Sequence, residues 1–245
     1  MKHVDSRERE QEILDLVIAC YIQDPRPVGS TYLCSRYNLP YSSATVRAVM
    51  ESLEKKGLLS HRHTSSGRVP TREGFKYYAG HLTDRDFVSD MDSGIDWTAL
   101  ESAGEENFIN ATLDALARMS GYTSLVVIST HDSKIFFRGA RFILEQPEFC
   151  DIAQLKNLFY ILEVKIDRLQ SLLFRCCDER MKIFVGDEIG VAEIDNCSLV
   201  VSGARDNAVN CSLALLGPMR MDYTKAASCV YSVREQFLRS LEHFL

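Results

Sequence analysis

The chain has 245 residues, 46% hydrophobic and 25% charged, a composition typical of globular proteins with one or two domains. Its formal net charge of −6 argues against a nucleic-acid partner for the chain as a whole, and its hydrophobic runs are too short to cross a membrane. The eight cysteines are scattered without C-x-x-C spacing, which excludes a secreted disulfide scaffold and predicts reduced thiols. The charged N-terminal segment is unlike a secretory signal, so we expect a cytoplasmic protein.

The charge is distributed unevenly along the sequence. Residues 1–82 contain 12 Lys and Arg against 9 Asp and Glu, whereas the remainder contains 16 against 25. Four of the six histidines also lie in the first third of the chain. A basic N-terminal surface that binds phosphate is therefore compatible with an acidic body.

Four helices and a hairpin are predicted in residues 1–82. Apolar residues recur at helical spacing from Ile13 to Ile22, Ser30 caps a second helix, and Gly57 ends a third. The predicted elements are helices at 7–23, 30–37 and 43–56, strands at 58–63 and 68–70, and a helix at 71–78. Three helices followed by a hairpin are typical of a winged helix-turn-helix DNA-binding domain.

An acidic stretch without periodicity predicts a linker at residues 83–97. Residues 98–245 mix helical and strand patterns, so the chain is expected to be α+β, with a C-terminal α/β domain. The predicted elements are helices at 98–120, 151–173 and 223–244 and strands at 123–130, 135–137, 181–185, 197–204 and 209–216. The apolar stripes of the helices at 151–173 and 223–244 are two candidate dimer surfaces.

Polar side chains suited to DNA lie on the third helix and in the hairpin turn. Arg47 is on the face opposite Val46 and Met50, where a guanidinium can donate two hydrogen bonds to guanine. Hydroxyls at the helix starts and the polar turn suit phosphate oxygens. The alternative is a solvated helix face, which the hairpin makes less favoured. The candidate DNA-binding residues are Ser30, Thr31, Ser42, Ser43, Thr45, Arg47, His63, Ser65, Ser66, Gly67 and Arg68.

Short motifs are spread over most of the chain outside residues 83–116. In residues 1–82 they are Pro27–Ser30, Ser42–Arg47, Leu53-Glu54-x-x-Gly57-Leu58 and the run from His63 to Tyr78. In residues 98–245 they are Gly121–Ser124, Phe136-Phe137-x-Gly139, Gln146–Phe149, Asn196–Ser198 and Gly217–Tyr223. In their residues and spacing these motifs strongly resemble the HrcA family of heat-inducible transcription repressors.

The resemblance implies a homodimer that represses chaperone genes. It would bind double-stranded DNA at an inverted-repeat operator, with a GroEL-type chaperonin as a further partner, and heat would relieve the repression. The resemblance also implies that the C-terminal domain is GAF-like. No cofactor, metal, catalytic residue or membrane contact is implied.

Two features depart from the family's pattern. Ala48 follows Arg47 where the family usually has Asn, so operator preference is expected to differ. Only Ser129 to Ile135 separate two motifs between which the family places much of its GAF-like domain and an inserted dimerisation segment. We therefore expect a C-terminal domain that lacks most of that insert and dimerises in another way.

Other functions remain as alternatives. A one-component metabolite-sensing regulator is the second interpretation, with Arg220 and Tyr223 as the residues that would bind an anion. The vicinal Cys176 and Cys177 allow a redox switch, and His61-x-His63 is a weak zinc pattern. No arrangement typical of an enzyme active site is present in the sequence.

Overall fold

A computed structural model of the chain describes residues 6–61, 67–87, 94–102, 104–129, 133–205 and 210–241. Clusters of contacts divide the chain into two compact units, Met1–His81 and Leu82–Leu245. Helices and a five-stranded antiparallel sheet occur together, which confirms the predicted α+β class. Within the described residues, no helix is both long enough and apolar enough to cross a membrane.

The first unit packs its helices around a small antiparallel sheet. Its elements are α1 (Ser6–Gln23), α2 (Ser30–Tyr37), α3 (Ser43–Lys55), β1 (Leu59–Ser60), β2 (Val69–Pro70) and α4 (Arg72–His81). Helix α1 contacts α3, α4 and β2, and Ile13 and Leu14 on α1 are fully buried together with Val46 on α3. Burial of these apolar side chains stabilises the unit by roughly 1.5–3 kcal/mol for each large side chain.

Local chemistry sets the bounds of α2 and α3. Asn38 ends α2 in the left-handed conformation, with φ of 48°, and its backbone N–H donates to the carbonyl of Cys34. Ser42 caps α3 because its side chain accepts a hydrogen bond of 3.1 Å from the backbone N–H of Thr45. The chain leaves α3 through Gly57, whose φ of 75° favours glycine.

A backbone bridge fastens the hairpin to the segment that precedes α2. The N–H of Val28 donates to the carbonyl of Arg68 and the N–H of Arg68 donates to the carbonyl of Val28, both at 2.8 Å. A Cβ atom on Gly67 would lie 2.4 Å from the carbonyl of Val28, so only glycine allows this approach. The base of the hairpin therefore adopts a fixed position beside the N-terminus of α2.

The second unit is built on a five-stranded antiparallel sheet with the order β4-β3-β7-β6-β5. Its strands are β3 (Thr123–Ser129), β4 (Ser133–Arg138), β5 (Lys182–Val185), β6 (Cys197–Arg205) and β7 (Asn210–Pro218). Its helices are α5 (Trp97–Glu101), α6 (Glu105–Ser120), α7 (Arg141–Leu144), α8 (Ile152–Glu163), α9 (Ile166–Arg175) and α10 (Tyr223–Leu241). In the central strands, Ala214 of β7 is opposite Leu125 of β3 on one side and Val201 of β6 on the other.

Helices cover both faces of the sheet. Leu125 and Val127 of β3 belong to one apolar cluster with residues of α8 and α9, and α9 contacts β3, β4 and β7. Helices α6 and α10 pack on each other and on the sheet, and their Phe108 and Phe237 rings stack with centroids 5.3 Å apart. The unit is therefore a helix–sheet–helix sandwich.

Three helical expectations require correction. The helix expected at 98–120 is divided into α5 and α6, and Gly104 precedes α6 with φ of 88°. The helix expected at 151–173 is two helices, because α8 ends at Glu163 and α9 begins at Ile166. The stripe expected on the surface of α10 is largely core, since Val230, Val233, Phe237 and Leu241 are fully buried.

Candidate nucleic-acid interface

One side of α3 is buried and the opposite side is open. Val46 is fully buried, and Met50 and Leu53 are 3% and 2% exposed. The exposed positions recur at helical spacing and are Ser43, Ala44, Arg47, Ala48, Glu51 and Lys55. Arg47 therefore projects away from the core, as the sequence predicted.

The polar residues at the start of α3 have two different roles. Besides accepting from the backbone of Thr45, Ser42 Oγ shares a hydrogen bond of 2.9 Å with Thr45 Oγ1. Both hydroxyls thus help to form the helix cap, whereas Ser43 is exposed. Ser43 and Arg47 are the predicted α3 residues best placed to contact a ligand.

Arg68 has a partner within the first unit. Its Nε atom lies 2.8 Å from Glu54 Oε2 on the last turn of α3, and the Arg68 side chain is only 17% exposed. The sequence predicted a phosphate contact for Arg68. That contact stays a prediction, and the geometry adds that the guanidinium takes part in the contact between α3 and the hairpin, which sequence spacing does not reveal.

Glu54 also contacts His61, whose Nδ1 atom lies against Glu54 Oε1. Burial by itself would raise the pKa of Glu54, but the hydrogen bond with His61 and the charge of Arg68 outweigh it and lower this pKa. The carboxylate is therefore held in its charged form between two basic side chains. His61 thus has a carboxylate partner, and the second histidine of the weak zinc pattern, His63, lies outside the described residues.

A second carboxylate anchors α3 to α1. Glu10 accepts hydrogen bonds from Lys56 Nζ at 2.5 Å and from Ser52 Oγ at 2.7 Å. These two hydrogen bonds, that of Lys56 first, lower the pKa of Glu10. Together, Glu10 and Glu54 hold the C-terminal end of α3 to its neighbours while its first turns remain exposed.

The other candidate residues lie on α2 and in the hairpin, and they differ in exposure. Thr31 is exposed on the first turn of α2, whereas Ser30 is only 7% exposed, so little of its side chain is available to a ligand. Gly67 lies at the backbone bridge with Val28. The remaining three, His63, Ser65 and Ser66, lie outside the described residues.

The structure adds residues that the sequence analysis did not select. Ala44 and Ala48 flank Arg47 on the exposed side of α3, and helical spacing alone would have identified them. On α2, Tyr32 is 50% exposed, and Arg36 donates hydrogen bonds of 3.0 Å to Tyr32 Oη and 2.6 Å to Gln23 Oε1. These contacts make a cationic and aromatic surface at α2.

In the second unit, the residues suggested for an anion site are already bonded within the protein. Arg220 contacts Glu148 and donates a hydrogen bond of 3.1 Å to Gln146 Oε1. Tyr223 is fully buried, and its hydroxyl bonds with Ser198 Oγ at 2.9 Å. These contacts join motif residues that are distant in sequence, and they favour a structural role over ligand binding.

Comparison with known proteins identifies the family. A family model described as the HrcA protein C terminal domain matches residues 80–227, more than half of the chain. The chain belongs to the HrcA family. The "Heat-inducible transcription repressor HrcA" of Oceanobacillus iheyensis is 24% identical over 339 residues, covering 97% of this chain and 98% of that protein. That of Chlorobium chlorochromatii is 33% identical over 165 residues, covering 64% of this chain and 47% of that protein.

The comparisons also bear on chain length and fold. The alignment of 339 residues exceeds the 245 residues of this chain, so this HrcA-family member lacks segments that its relative contains. This agrees with the shortening predicted from the motifs. A crystal structure described only as that of a hypothetical protein has a TM-score of 0.75 and 16% identity, covering 97% of this chain and 98% of that one, which shows a shared fold.

Proposed function

We propose that the chain is a sequence-specific DNA-binding transcription repressor of the cytoplasm. The first unit acts as a winged helix-turn-helix over residues 1–82, joined by the linker at 83–97 to a GAF-like regulatory and assembly domain. The observation that carries the proposal is the open side of α3, from which Arg47 projects opposite a fully buried Val46. The relatives are named heat-inducible transcription repressors, which supports the same function.

In this proposal α3 enters the major groove. Its 13 residues span about 20 Å at 1.5 Å per residue, a length that fits the groove. The small side chains of Ala44 and Ala48 permit a close approach to base edges, where Arg47 donates to guanine and an alanine methyl contacts thymine. Thr31 and Ser43 lie where hydroxyls reach phosphates.

A single unit of this size makes too few contacts for tight binding to one site. A two-fold dimer matches an inverted repeat whose half-sites are about 34 Å apart, or a multiple of that distance. We therefore propose a homodimer on an inverted-repeat operator upstream of chaperone genes. Derepression by heat and assistance by a GroEL-type chaperonin belong to the same proposal and rest on the family resemblance.

Selection from a pool of random DNA duplexes tests the DNA-binding function. The full-length protein is expected to enrich an inverted repeat, and the variant Arg47→Ala is expected to enrich it less or with altered base preference at one position of each half-site. Arg118, an exposed arginine on α6, provides the control, because Arg118→Ala is expected to select the same sequence as the wild type. Failure of the wild type to enrich any sequence would overturn the proposal.

The regulatory part needs a separate measurement. The protein is heated, returned to the assay temperature, and tested for operator binding with and without a GroEL-type chaperonin and ATP. Recovery of binding that depends on the chaperonin supports the proposed partnership. Equal recovery in both samples contradicts it and leaves the DNA-binding function intact.

A further inference from the structure

The outer side of α8 carries an apolar surface with no role in the core of the second unit. Its inner side is fully used, because Leu158 and Ile161 are fully buried and Leu162 is 1% exposed. On the outer side, Ile152 is 67% exposed and Val164, which follows the last turn, is 63% exposed. Single exposed apolar side chains are common on protein surfaces, so it is the arrangement of this face, rather than its exposure, that indicates a partner.

Three of the five large apolar residues that are exposed in the described part of the second unit lie on α8 or directly after it. They are Ile152, Tyr160 and Val164, and the other two are Leu144 and Phe174. The other surface considered for a dimer, α10, is core. The α8 face is therefore the remaining candidate of the two.

The outer face of α8 is arranged symmetrically about its own midpoint. Its exposed residues are Ile152, Ala153, Lys156, Asn157, Tyr160, Glu163 and Val164. If a second copy of the helix lies antiparallel at the level of Leu158, Ile152 meets Val164 of that copy and Lys156 meets Tyr160. The same residues therefore form the contact on both helices.

The charges on this face complement each other in the same arrangement. Glu163 of the second copy lies level with Ala153, about 4.5 Å along the axis from Lys156, within reach of its long side chain. Lys165 of the same chain already lies over the Tyr160 ring, with its Nζ 4.9 Å from the ring centroid, so a cation–π contact with Lys156 of the second copy uses the opposite face of that ring. The pairing thus gives every large side chain on the face an apolar, aromatic or oppositely charged partner.

We infer that two copies of this chain associate through the outer face of α8, in an antiparallel arrangement centred near Leu158. The number of copies rests on the proposed function, because a repressor that binds an inverted repeat needs two copies. The inference adds which surface joins them. A helix of 12 residues is about 18 Å long, and such a contact is smaller than a standard stable interface. The dimer is expected to dissociate in the micromolar range and to be stabilised when both copies bind one operator.

Sedimentation equilibrium of the full-length protein tests this interface. The wild type is expected to be a dimer at tens of micromolar, and Val164→Glu is expected to raise the dissociation constant at least tenfold. Lys156→Glu is expected to weaken the dimer because it places two carboxylates together, and the double variant Lys156→Glu/Glu163→Lys is expected to recover most of the loss. Phe174→Glu, an exposed apolar position on α9, is the matched control and is expected to have no effect.

Several outcomes would overturn the inference. One is a wild type that remains monomeric at about 100 µM, well above the expected micromolar dissociation constant. The others are a Val164→Glu variant that dimerises normally and a charge swap that gives no recovery. Binding to a single operator half-site separates this result from the proposed function. Val164→Glu should leave half-site binding unchanged. If it weakened half-site binding without changing the mass measured by sedimentation, the outer face of α8 would contact another part of the same chain instead of a second copy. If the wild type dimerises as expected but binds no operator, the proposed function fails and the interface stands.

Discussion

The Nε atom of Arg68 lies 2.8 Å from Oε2 of Glu54, and this ion pair joins the residue before β2 to the last turn of α3. Both side chains are partly buried, at 17% and 23% exposed, so the pair is screened less by water than a pair on the open surface. The orientation of the hairpin relative to α3 therefore depends on a side-chain contact as well as on the backbone bridge to Val28.

The variant Glu54→Gln is expected to destabilise the first unit by about 1–2 kcal/mol, because it removes the negative charge that faces both the partly buried Arg68 and His61. Urea unfolding followed by circular dichroism measures the change. A double-mutant cycle with Arg68→Ala should give a coupling of at least about 0.5 kcal/mol. Additive effects of the two substitutions would contradict a direct interaction.

The same Arg68→Ala variant separates positioning from phosphate contact. If Arg68 also binds a phosphate, the salt dependence of operator binding becomes shallower by about one unit of slope and the loss is equal on all sequences. If the salt dependence is unchanged but binding is weaker, Arg68 acts only by positioning the hairpin. Relaxed specificity at one base step would instead indicate that the hairpin reads the minor groove.

Arg47→Ala is expected to weaken binding to the selected operator by about 1–3 kcal/mol and to leave the folded structure intact, because the side chain projects from the open side of α3. Competition between operator and random duplex in a gel-shift assay measures the loss of specificity. Arg118→Ala on α6 is the control and should bind as the wild type does. A ratio of operator to random binding that Arg47→Ala does not change would rule out base recognition by this residue.

Two glycines of α4 give opposite expectations. A Cβ atom on Gly74 would lie 2.2 Å from the carbonyl oxygen of Leu58, so Gly74→Ala forces the backbone apart and should lower the thermal midpoint of the first unit by several degrees. A Cβ on Gly80 meets no atom within 4 Å, so Gly80→Ala should stabilise the helix by about 0.5–1 kcal/mol. Differential scanning calorimetry compares the two. A neutral Gly74→Ala would contradict the close approach to Leu58, and a destabilising Gly80→Ala would contradict the open space beside Gly80.

Acid is expected to destabilise the first unit through Glu10 and Glu54. The pKa of each carboxyl is lowered in the folded chain, so the unfolded state binds protons more readily. Their contributions are fully present above the ordinary carboxyl pKa and are lost as the pH falls through the lowered values. Thermal unfolding between about pH 7 and pH 3 measures this loss. The double variant Glu10→Gln/Glu54→Gln should be less stable at pH 7 and should lose less on acidification, whereas parallel curves would contradict this origin of the pH dependence.

The buried thiols are expected to be unreactive in the native protein. Burial raises the pKa of Cys211 to about 12 and also raises the pKa of Cys176, which is 3% exposed, as its neighbour Cys177 is 1% exposed. Alkylation at neutral pH should therefore label the exposed Cys150 and spare these three until denaturant is added. Mass spectrometry after digestion identifies the labelled sites. Modification of Cys176 or Cys177 at the rate of Cys150 would support the alternative that these two cysteines form a redox switch.

The helices of the first unit could be predicted closely because their signals are local. The apolar period around Ile13 and the cap at Ser42 depend on residues within a few positions of one another. The ion pair between Glu54 and Arg68 could not be predicted, because it requires the fold of the hairpin onto α3.

The break between α8 and α9 shows a different limit. An apolar stripe continues from Leu155 through Leu172, and neither glycine nor proline interrupts it. The chain nevertheless turns near Val164, and Lys165 forms an ion pair of 2.8 Å with Glu193, which is distant in sequence. Tertiary packing rather than local propensity therefore decides where this helix ends.

The order of the strands also affects how the chain folds. Strand β3 pairs with β7, and the ring of Phe108 stacks on that of Phe237, so residues from opposite ends of the second unit must meet before its core closes. Contacts of such long sequence separation slow folding, and until they form, the apolar strand β3 lacks its partner. During synthesis the first unit has emerged before β7 and α10 exist, so the second unit is the slower part of the chain to mature and the part with more need of protection from aggregation.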